Sequence, residues 1–348
     1  VPLPVQNVGG GVFWMRYIAG IDIGGTKCAV SIGVLREEAF VCDILYKERF
    51  PTPKEPRQAV ELLVATLQRM AAAHREVTLS AIGVSCGSPL DSARGLVQCP
   101  PNLPNWDNIA VTAPFEQVFG VPAALQNDAN ACALAEWLWG AGRGSRNMVF
   151  LTFGTGLGAG LILDGRLYTG TNDMAGEVGH VRLEEDGPEG YKKAGSFEGF
   201  CSGGGIARCA VPIVREWTAK GKPTGILRAG QDVTEITAAD VGRAAAAGDT
   251  LAISIMEDTG RRLGKGLAML IDILNPERIV IGSIFLRQEA VLRKPMEEVI
   301  AREALSCTRR VCEIVPAGLG EQLGDYAALS VAGNLLRQHD KADADGLR

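Results

Sequence analysis

Two stretches of the sequence follow the same plan: Ile21–Val30, IDIGGTKCAV, and Leu151–Gly160, LTFGTGLGAG. In each stretch an apolar run meets a polar residue, the chain turns through glycine and threonine, and a second apolar run follows. Short apolar runs separated by a glycine turn predict two strands joined by a tight turn. Because the plan occurs twice, we interpret it as an internal duplication, which implies two similar domains.

Outside these hairpins, strand patterns alternate with helical patterns. The predicted strands are 79–85, 121–126, 278–282 and 313–316, and the predicted helices are 56–70, 130–138, 249–274 and 326–338. Such alternation predicts an α/β fold in which helices cover the sheets. We predict one domain from residues 16–128 with about 320–338 and a second from 129–319. Residues 1–15 are expected to be an extension and 339–348 a frayed tail.

The composition of the chain indicates its cellular compartment and the class of partner that it binds. The chain has 348 residues and a net charge of −5, and it has no basic block, which argues against nucleic acid or an anionic membrane as its main partner. Its nine cysteines form no Cys-x-x-Cys pair, so we expect reduced thiols in a cytoplasmic protein; a disulfide or metal framework is the alternative. No apolar run is long enough for a membrane span, and Val1–Trp14 does not resemble a signal peptide.

Both glycine turns have the composition of a phosphate-binding loop. Glycines allow close approach of the backbone, and their N–H groups can point together at phosphate oxygens. The first turn adds the hydroxyl of Thr26, the charge of Lys27 and the carboxylate of Asp22, which could hold Mg²⁺ through water. A plain glycine hairpin turn is the alternative for either loop taken alone. A nucleotide bound by both domains accounts for the two loops together.

Six motifs in order carry a resemblance to a known family: DIGGTK at 22–27, PPNLPNW at 100–106, QNDANACALAE at 126–136, LTFGTGLGAG at 151–160, AGEVGH at 175–180 and LIDILNPERIVIG at 270–282. From Tyr17 to about Gln338 the chain resembles the ROK family (repressor, open reading frame, kinase) of the actin-like ATPase and hexokinase superfamily. The resemblance implies two RNase H-like α/β domains, each with a mixed sheet flanked by helices, and a cleft that holds a sugar with ATP beside it.

The same resemblance implies residue roles. Asp128 is the general base that accepts the proton of a sugar hydroxyl, although an aspartate at a helix start is also a common N-cap. The implied sugar ligands are Gly87, Asn102, Asn127, Glu177, His180 and Glu198. The implied ATP-binding residues are Asp22, Gly24, Gly25, Thr26, Lys27, Gly154, Thr155, Gly156, Gly158 and Gly282. A structural histidine is the alternative for His180.

Three stretches depart from the family pattern. Many relatives carry a zinc loop with three cysteines, and here Glu189, Tyr191 and Ser196 stand at those positions, so we predict no structural zinc. The loop would instead be held by glycines and by Phe197 and Phe200. The stretches 86–90 and 282–284 also differ from the glycine-containing patterns of relatives, which affects the predicted sugar site and the predicted adenine site respectively.

These observations predict an ATP- and Mg²⁺-dependent kinase that phosphorylates a hydroxyl, by preference the 6-hydroxyl, of a hexose or N-acetylhexosamine. The resemblance also implies a homodimer. One rival is a sugar-responsive repressor, for which the roughly 16 residues before the first predicted strand are too short to form a helix-turn-helix unit. The other rival is a non-catalytic protein that binds nucleotide and sugar. Intact Asp128 and two phosphate loops argue against it.

Overall fold

A computed structural model describes residues 3–5, 13–36 and 41–344, with side chains from residue 15 onward. The chain forms two compact units. The first comprises Val1–Gly144, Leu167–Ala175 and Glu321–Arg348, and the second comprises Ser145–Arg166 and Gly176–Gly320. The first unit therefore continues past Asp128, where the sequence predicted the boundary, because the helix that begins there packs on strands and a helix of the first unit.

The first unit is built on one large sheet and four helices of the described chain. Its strands are β1 (Leu3–Val5), β2 (Phe13–Ile23), β3 (Lys27–Arg36), β4 (Val41–Pro51), β5 (Leu79–Cys86), β6 (Leu90–Asp91), β7 (Leu96–Gln98), β8 (Asp107–Ala110) and β9 (Ala123–Asn127). Its helices are α1 (Pro56–Ala73), α2 (Ala113–Phe119), α3 (Asp128–Trp139) and, at the end of the chain, α10 (Leu323–Ala344).

The second unit has its own sheet and is richer in helix. The strands are β10 (Met148–Phe153), β11 (Leu157–Leu163), β13 (Glu189–Gly190), β14 (Lys193–Ala194), β15 (Arg278–Ile281) and β16 (Glu313–Pro316). The strand β12 (Arg166–Tyr168) pairs with β11 and begins at the last residue of Ser145–Arg166. The helices are α4 (Phe197–Phe200), α5 (Gly203–Ala219), α6 (Ala238–Ala246), α7 (Thr250–Leu274), α8 (Ile284–Glu303) and α9 (Ser306–Arg309). All the helices and strands predicted from sequence are present, with bounds that shift by a few residues.

The two large sheets have the same strand order. In the first unit the order is β4-β3-β2-β5-β9, and in the second it is β12-β11-β10-β15-β16. In both sheets a hairpin, β2–β3 or β10–β11, lies next to parallel strands. The predicted duplication is therefore present in the strand topology, and so is the predicted mixed α/β architecture with helices on the sheets.

Helix α10 lies so close to the first sheet that a glycine is required beneath it. A Cβ on Gly83 of β5 would overlap the carbonyl oxygen of Ala328 and lie 2.5 Å from the amide nitrogen of Ala332. Apolar side chains such as Ile18 and Leu329, both 0% exposed, fill the layer between sheet and helix. The C-terminal helix is thus part of the framework of the first unit.

Both chain ends differ from the prediction where the structure describes them. Leu3–Val5 pairs antiparallel with Phe13–Met15, so the sheet begins earlier than the predicted residue 16. At the other end, the helix continues through His339 to Ala344, although a frayed tail was predicted. Asp340 accepts two hydrogen bonds from Arg16, at 2.9 and 2.8 Å. That ion pair with β2 gives the last turns of helix a tertiary partner.

No helix in the described ranges is both long enough and apolar enough to cross a bilayer.

Candidate active site

The first glycine turn forms a closed hairpin end. The backbone N–H of Gly24 donates to the carbonyl of Lys27 at 3.1 Å, and the hydroxyl of Thr52 donates to the carbonyl of Gly24 at 2.6 Å. Gly25, Thr26 and Lys27 are solvent-exposed. The turn is therefore held from behind by Thr52, the residue after β4, and presents its outer groups to solvent, where a ligand can reach them.

Asn102 is the predicted sugar ligand that lies against this turn. A Cβ on Gly25 would overlap the backbone carbonyl oxygen of Asn102. The side-chain oxygen of Asn102 lies 3.2 Å from the position that a Cβ on Gly87 would take. Three predicted residues from distant parts of the sequence thus meet at one end of the first sheet. Gly25 must be glycine for the two backbones to approach, whereas a Cβ on Gly87 would only crowd the Asn102 side chain.

Asp22 is the half-buried carboxyl at the end of β2. Burial, and after it the nearby negative charge of Asp128, raise the pKa of Asp22 to about 6, while Lys47 opposes the shift. Two carboxyl groups in one partly desolvated place favour a bound cation. The donor set, oxygen atoms of one or two carboxylates, is the kind that Mg²⁺ uses together with substrate phosphates.

The charges around Asp22 were missed by the sequence analysis. Asp325, in the first turn of α10, pairs with Lys47 and accepts a hydrogen bond from Arg49 at 2.7 Å. Lys47 and Arg49 lie two apart on β4 and therefore share a face of that strand. The alternation of these two cations, Lys47 and Arg49, was the available signal in the sequence, but their partner lies almost 280 residues away in the chain.

Asp128 is the first residue of α3 and does not serve as its N-cap. That role belongs to Asn127, whose Oδ1 accepts a 2.7 Å hydrogen bond from the N–H of Asn130. The Oδ1 of Asp128 accepts from its neighbour Ala129 at 2.8 Å. The carboxyl is accessible to solvent, and the protein atoms around it raise its pKa by desolvation, against two backbone hydrogen bonds that lower it. This is the environment of a reachable carboxylate with enhanced basicity.

In the second unit, the glycine turn 154–158 closes the β10–β11 hairpin, as the first glycine turn closes the β2–β3 hairpin. The N–H of Gly154 donates to the carbonyl of Gly156 at 3.1 Å, and the N–H of Gly158 donates to Thr152 Oγ1 at 2.9 Å. Glu198, a predicted sugar ligand, lies against this loop. One of its oxygens accepts from the N–H of Leu157 at 3.0 Å. That oxygen would be 2.9 Å from a Cβ on Gly156.

A cavity of about 520 Å³ opens beside this loop within the second unit. Its walls come from four places in the chain: 154–155, 203–207, 236–239 and 283–288. The volume falls in the range of small-molecule sites, roughly 300–1,000 Å³. The sequence analysis had assigned residues 154–155 and the stretch after Gly282 to the nucleotide site. It had not assigned residues 203–207 or 236–239 to any site.

The second wall is the N-terminus of α5. Ser202 caps this 17-residue helix by accepting from the N–H of Gly205 at 2.9 Å. Gly203 donates its own N–H to the carbonyl of Gly154 at 2.7 Å, which places the helix end against the glycine loop. A helix N-terminus with glycines next to a glycine loop suits an anion. In the sequence, Ser202 stands before three glycines and an apolar helical pattern, and a serine in that position indicates the start of a helix. The sequence analysis did not use this indication.

His180 ends a short 3-10 turn, Val178–His180, and Glu177 is the residue immediately before that turn. Both residues are exposed. The ring of His180 makes an edge contact with Tyr191, with centroids 6.4 Å apart, and its carbonyl accepts from Lys193 at 2.7 Å. The buried Gly179 between them lies against Leu157, so this turn packs beside the glycine loop.

The stretch that replaces the zinc loop is a small hairpin, β13–β14, followed by α4. Tyr191 and Lys192 form its turn with positive φ. Ser196 is fully buried, and its hydroxyl oxygen accepts from the N–H of Gly199 at 3.1 Å, which caps α4. Phe197 and Phe200, 1% and 5% exposed, anchor the helix in the core, as predicted. The described residues contain no group of three metal-ligating side chains, and the absence of zinc stays a prediction.

The turn that follows β15 passes through Gly282 to Ser283, which has a φ of 51°. This left-handed conformation favours glycine, which agrees with the glycines expected here from the family pattern. The Ser283 hydroxyl accepts from Arg287 at 3.2 Å, and both residues line the cavity. Gly282 itself is buried, and its N–H donates to the carbonyl of Leu151 at 3.0 Å, so it supports the wall from behind.

Comparison with known proteins identifies relatives of this chain. The chain is 31% identical over 315 residues to a glucokinase of Halalkalibacterium halodurans, covering 89% of this chain and 92% of the relative. It is 27% identical to the DNA-binding transcriptional dual regulator NagC of Escherichia coli, covering 92% and 77%. A ROK family glucokinase from Streptomyces griseus, solved with glucose and AMPPNP, superposes with a TM-score of 0.70 at 29% identity, covering 91% of this chain and 99% of that one. The model of the ROK family matches residues 18–334, and the chain belongs to that family.

Proposed function

We propose that this protein is an ATP-dependent sugar kinase that transfers the γ-phosphoryl group to the 6-hydroxyl of a hexose or an N-acetylhexosamine. The observation that carries the proposal is the state of Asp128. Its carboxyl is solvent-accessible, has a raised pKa, and is spared the capping role that Asn127 performs. Similarity to glucokinases over most of both chains supports the same reaction.

In the proposed reaction, Asp128 accepts the proton of the sugar hydroxyl as that oxygen bonds to the γ-phosphorus. The bond from phosphorus to the bridging oxygen of ATP breaks, and ADP leaves. Phosphoryl transfer asks the protein mainly to position the reactants and to stabilise charge, so one basic carboxylate in reach of the hydroxyl is sufficient. Asn102 and the backbone at Gly87 are the neighbouring groups in the first unit that would orient the sugar.

Asp22 is the residue that would hold Mg²⁺, through its carboxylate and water, together with the phosphates of ATP. The raised pKa of Asp22 reflects a place where negative charge is costly, and a cation lowers that cost. The metal ion would neutralise charge on the transferring phosphoryl group. Thr26 and Lys27, exposed on the same turn, are the proposed hydroxyl and ammonium contacts to phosphate.

The cavity of the second unit is the proposed nucleotide site. The N–H groups of Thr155 and Gly204 suit phosphates, and Ala207, Ile236 and Ile284 offer apolar surface for a base or ribose. The solved relative that contains AMPPNP supports ATP as the donor. A homodimer in the cytoplasm remains part of the proposal, and light scattering of the purified protein tests the oligomeric state.

The test is a coupled assay of ADP release with ATP, Mg²⁺ and a panel of glucose, mannose, allose, N-acetylglucosamine and N-acetylmannosamine. At least one sugar should give turnover and a product phosphorylated at the 6-position. Asp128→Asn should lower kcat by about 10²–10⁴-fold, the contribution of a general base, and leave the dissociation constant of the sugar within a few fold. Undiminished turnover in this variant would remove Asp128 from the role of base.

A sugar-responsive regulator without kinase activity is the second candidate, because NagC-like regulators are among the relatives. The assay separates the two. Sugar and ATP binding by calorimetry, without turnover of any sugar in the panel, would favour the regulator. Turnover that depends on Asp128 would favour the kinase.

A further inference from the structure

One side chain in the cavity of the second unit has the chemistry to recognise a base. Gln288, on α8, lines the cavity with a side-chain amide that both donates and accepts hydrogen bonds. Within the described residues this amide has no hydrogen-bond partner. The polar groups around it are already engaged: the Thr237 hydroxyl donates to Asp240 at 2.7 Å, and the Ser283 hydroxyl accepts from Arg287 at 3.2 Å.

The backbone of α8 departs from helical geometry at Gln288, with φ −123° and ψ 16°. On its far side the amide rests on α6. A Cβ on Gly242 would lie 2.6 Å from Gln288 Nε2 and 2.9 Å from its Cδ. A glycine at position 242 therefore leaves the space in which the Gln288 amide packs against α6.

The position of Gln288 in the cavity wall also suits contact with the base of a nucleotide. The phosphate-binding end is marked by Gly154 and by Ser283, whose hydroxyl lies 3.4 Å from the Cβ position of Gly154. Gln288 follows Ser283 by five residues, and both line the cavity. A nucleotide with its phosphates at the Gly154 end would have its base farther along the cavity wall, on the side of Gln288.

We propose that Gln288 reads the edge of the adenine ring, donating to a ring nitrogen and accepting from the 6-amino group. This inference rests on the proposed function, since it names the residue that selects the nucleotide in that site. Glutamine pairs with adenine in this two-bond manner, and one good pair of this kind discriminates between bases by about tenfold. The neighbouring Gly242 positions the amide.

The test measures dissociation constants by calorimetry for ATP and for purine riboside triphosphate, which lacks the 6-amino group. The wild-type protein should prefer ATP by about tenfold, and Gln288→Met, matched in length, should show almost no preference. Gly242→Ala, which adds a good helix former to α6, should reduce the preference by displacing the amide without removing it. Equal preference for ATP in the wild type and in Gln288→Met would overturn the proposal.

Gln288→Glu supplies an independent result. A carboxylate only accepts, and guanine offers two adjacent donors, so this variant should shift the ratio of ATP to GTP affinity toward GTP by about tenfold or more. An unchanged ratio would count against base reading by this residue. If the wild-type protein bound no ATP at all, the proposed function itself would fail, an outcome that is distinct from loss of selectivity alone.

Discussion

Asn127 caps the helix on which Asp128 is the first residue, through a 2.7 Å hydrogen bond from the N–H of Asn130 to Asn127 Oδ1. Adjacent residues thus have separate duties, one structural and one available for chemistry. Burial of Asn127, 4% exposed, keeps the cap out of water, whereas the Asp128 side chain reaches solvent.

The two duties can be separated by substitution. Asn127→Ala should lower the free energy of unfolding by about 1 kcal/mol, the usual cost of a lost N-cap. Asn127→Asp keeps an accepting oxygen and should restore most of that loss. Asp128→Asn should leave stability unchanged or slightly increased, because the raised pKa of Asp128 means that its charged form is disfavoured in the fold. Urea unfolding at pH 7.5 measures all three, and equal losses for Asn127→Ala and Asp128→Asn would refute this division of roles.

The raised pKa of Asp22 predicts that the free energy of unfolding depends on pH. The pKa of this carboxyl in the folded state is about 6, above the ordinary value of 3.8. Between pH 3.8 and 6 the folded protein therefore keeps a proton on Asp22 that the unfolded chain has released. Stability from this group is therefore present below pH 4 and is lost as pH rises through 6. Asp22→Asn should raise the free energy of unfolding at pH 7.5 by about 2 kcal/mol, and the gain should vanish near pH 4. A gain of the same size at both pH values would point to a cause other than titration.

The same carboxyl predicts a pH profile for the proposed reaction. If Asp22 must be ionised to hold Mg²⁺, kcat/KM should fall as pH drops through about 6. Excess Mg²⁺ should move the inflection to lower pH, because the cation competes with the proton. An inflection that ignores the Mg²⁺ concentration would assign the titration to another group.

Two buried serine caps serve different parts of the proposed site. Ser196 caps the four-residue helix that carries Glu198, and Ser202 caps α5, which brings Gly203 to the cavity. Serine-to-alanine substitution at either should cost about 1 kcal/mol of stability. Ser196→Ala should raise KM mainly for the sugar and Ser202→Ala mainly for ATP. Steady-state kinetics with each substrate varied tests this, and identical effects on both KM values would show only a general loss of structure.

Close packing of α10 on β5 predicts a severe effect at Gly83. Alanine there meets the backbone at Ala328 and Ala332, which cannot move without shifting the whole helix, so Gly83→Ala should destabilise the protein by about 3 kcal/mol or more. Gly324→Ala, in the same helix with no atom near its Cβ position, is the matched control and should be neutral or stabilising. Similar melting temperatures for the two variants would contradict the packing described.

Metal removal tests the replacement of the zinc loop. Treatment with EDTA followed by gel filtration should leave the melting temperature unchanged, and Mg²⁺ alone should then restore full activity. The physical reason is that the Ser196 cap and the buried aromatic pair Phe197 and Phe200 hold this stretch without a metal. Zinc found at one equivalent per chain by elemental analysis would overturn this account.

Much of the fold was readable from local pattern. The hairpins around Gly24 and Gly154, the helix after Asp128 and the repeated plan of two domains each depend on residues close together in the chain, and each is present in the structure. The ends were misjudged because their partners are remote: Asp340 extends a helix by pairing with Arg16, and no window of sequence contains both.

The sequence by itself determined the two glycine hairpins, the strand and helix order and the presence of Asp128, because apolar periodicity and glycine conformations act over a few residues. Only the tertiary structure decided what each group is free to do. It assigned the cap to Asn127, set Asn102 against Gly25 and joined four distant segments into one cavity beside Gly154. Those relations arise from close packing between elements far apart in the chain, and local propensities carry no information about which backbone will approach which.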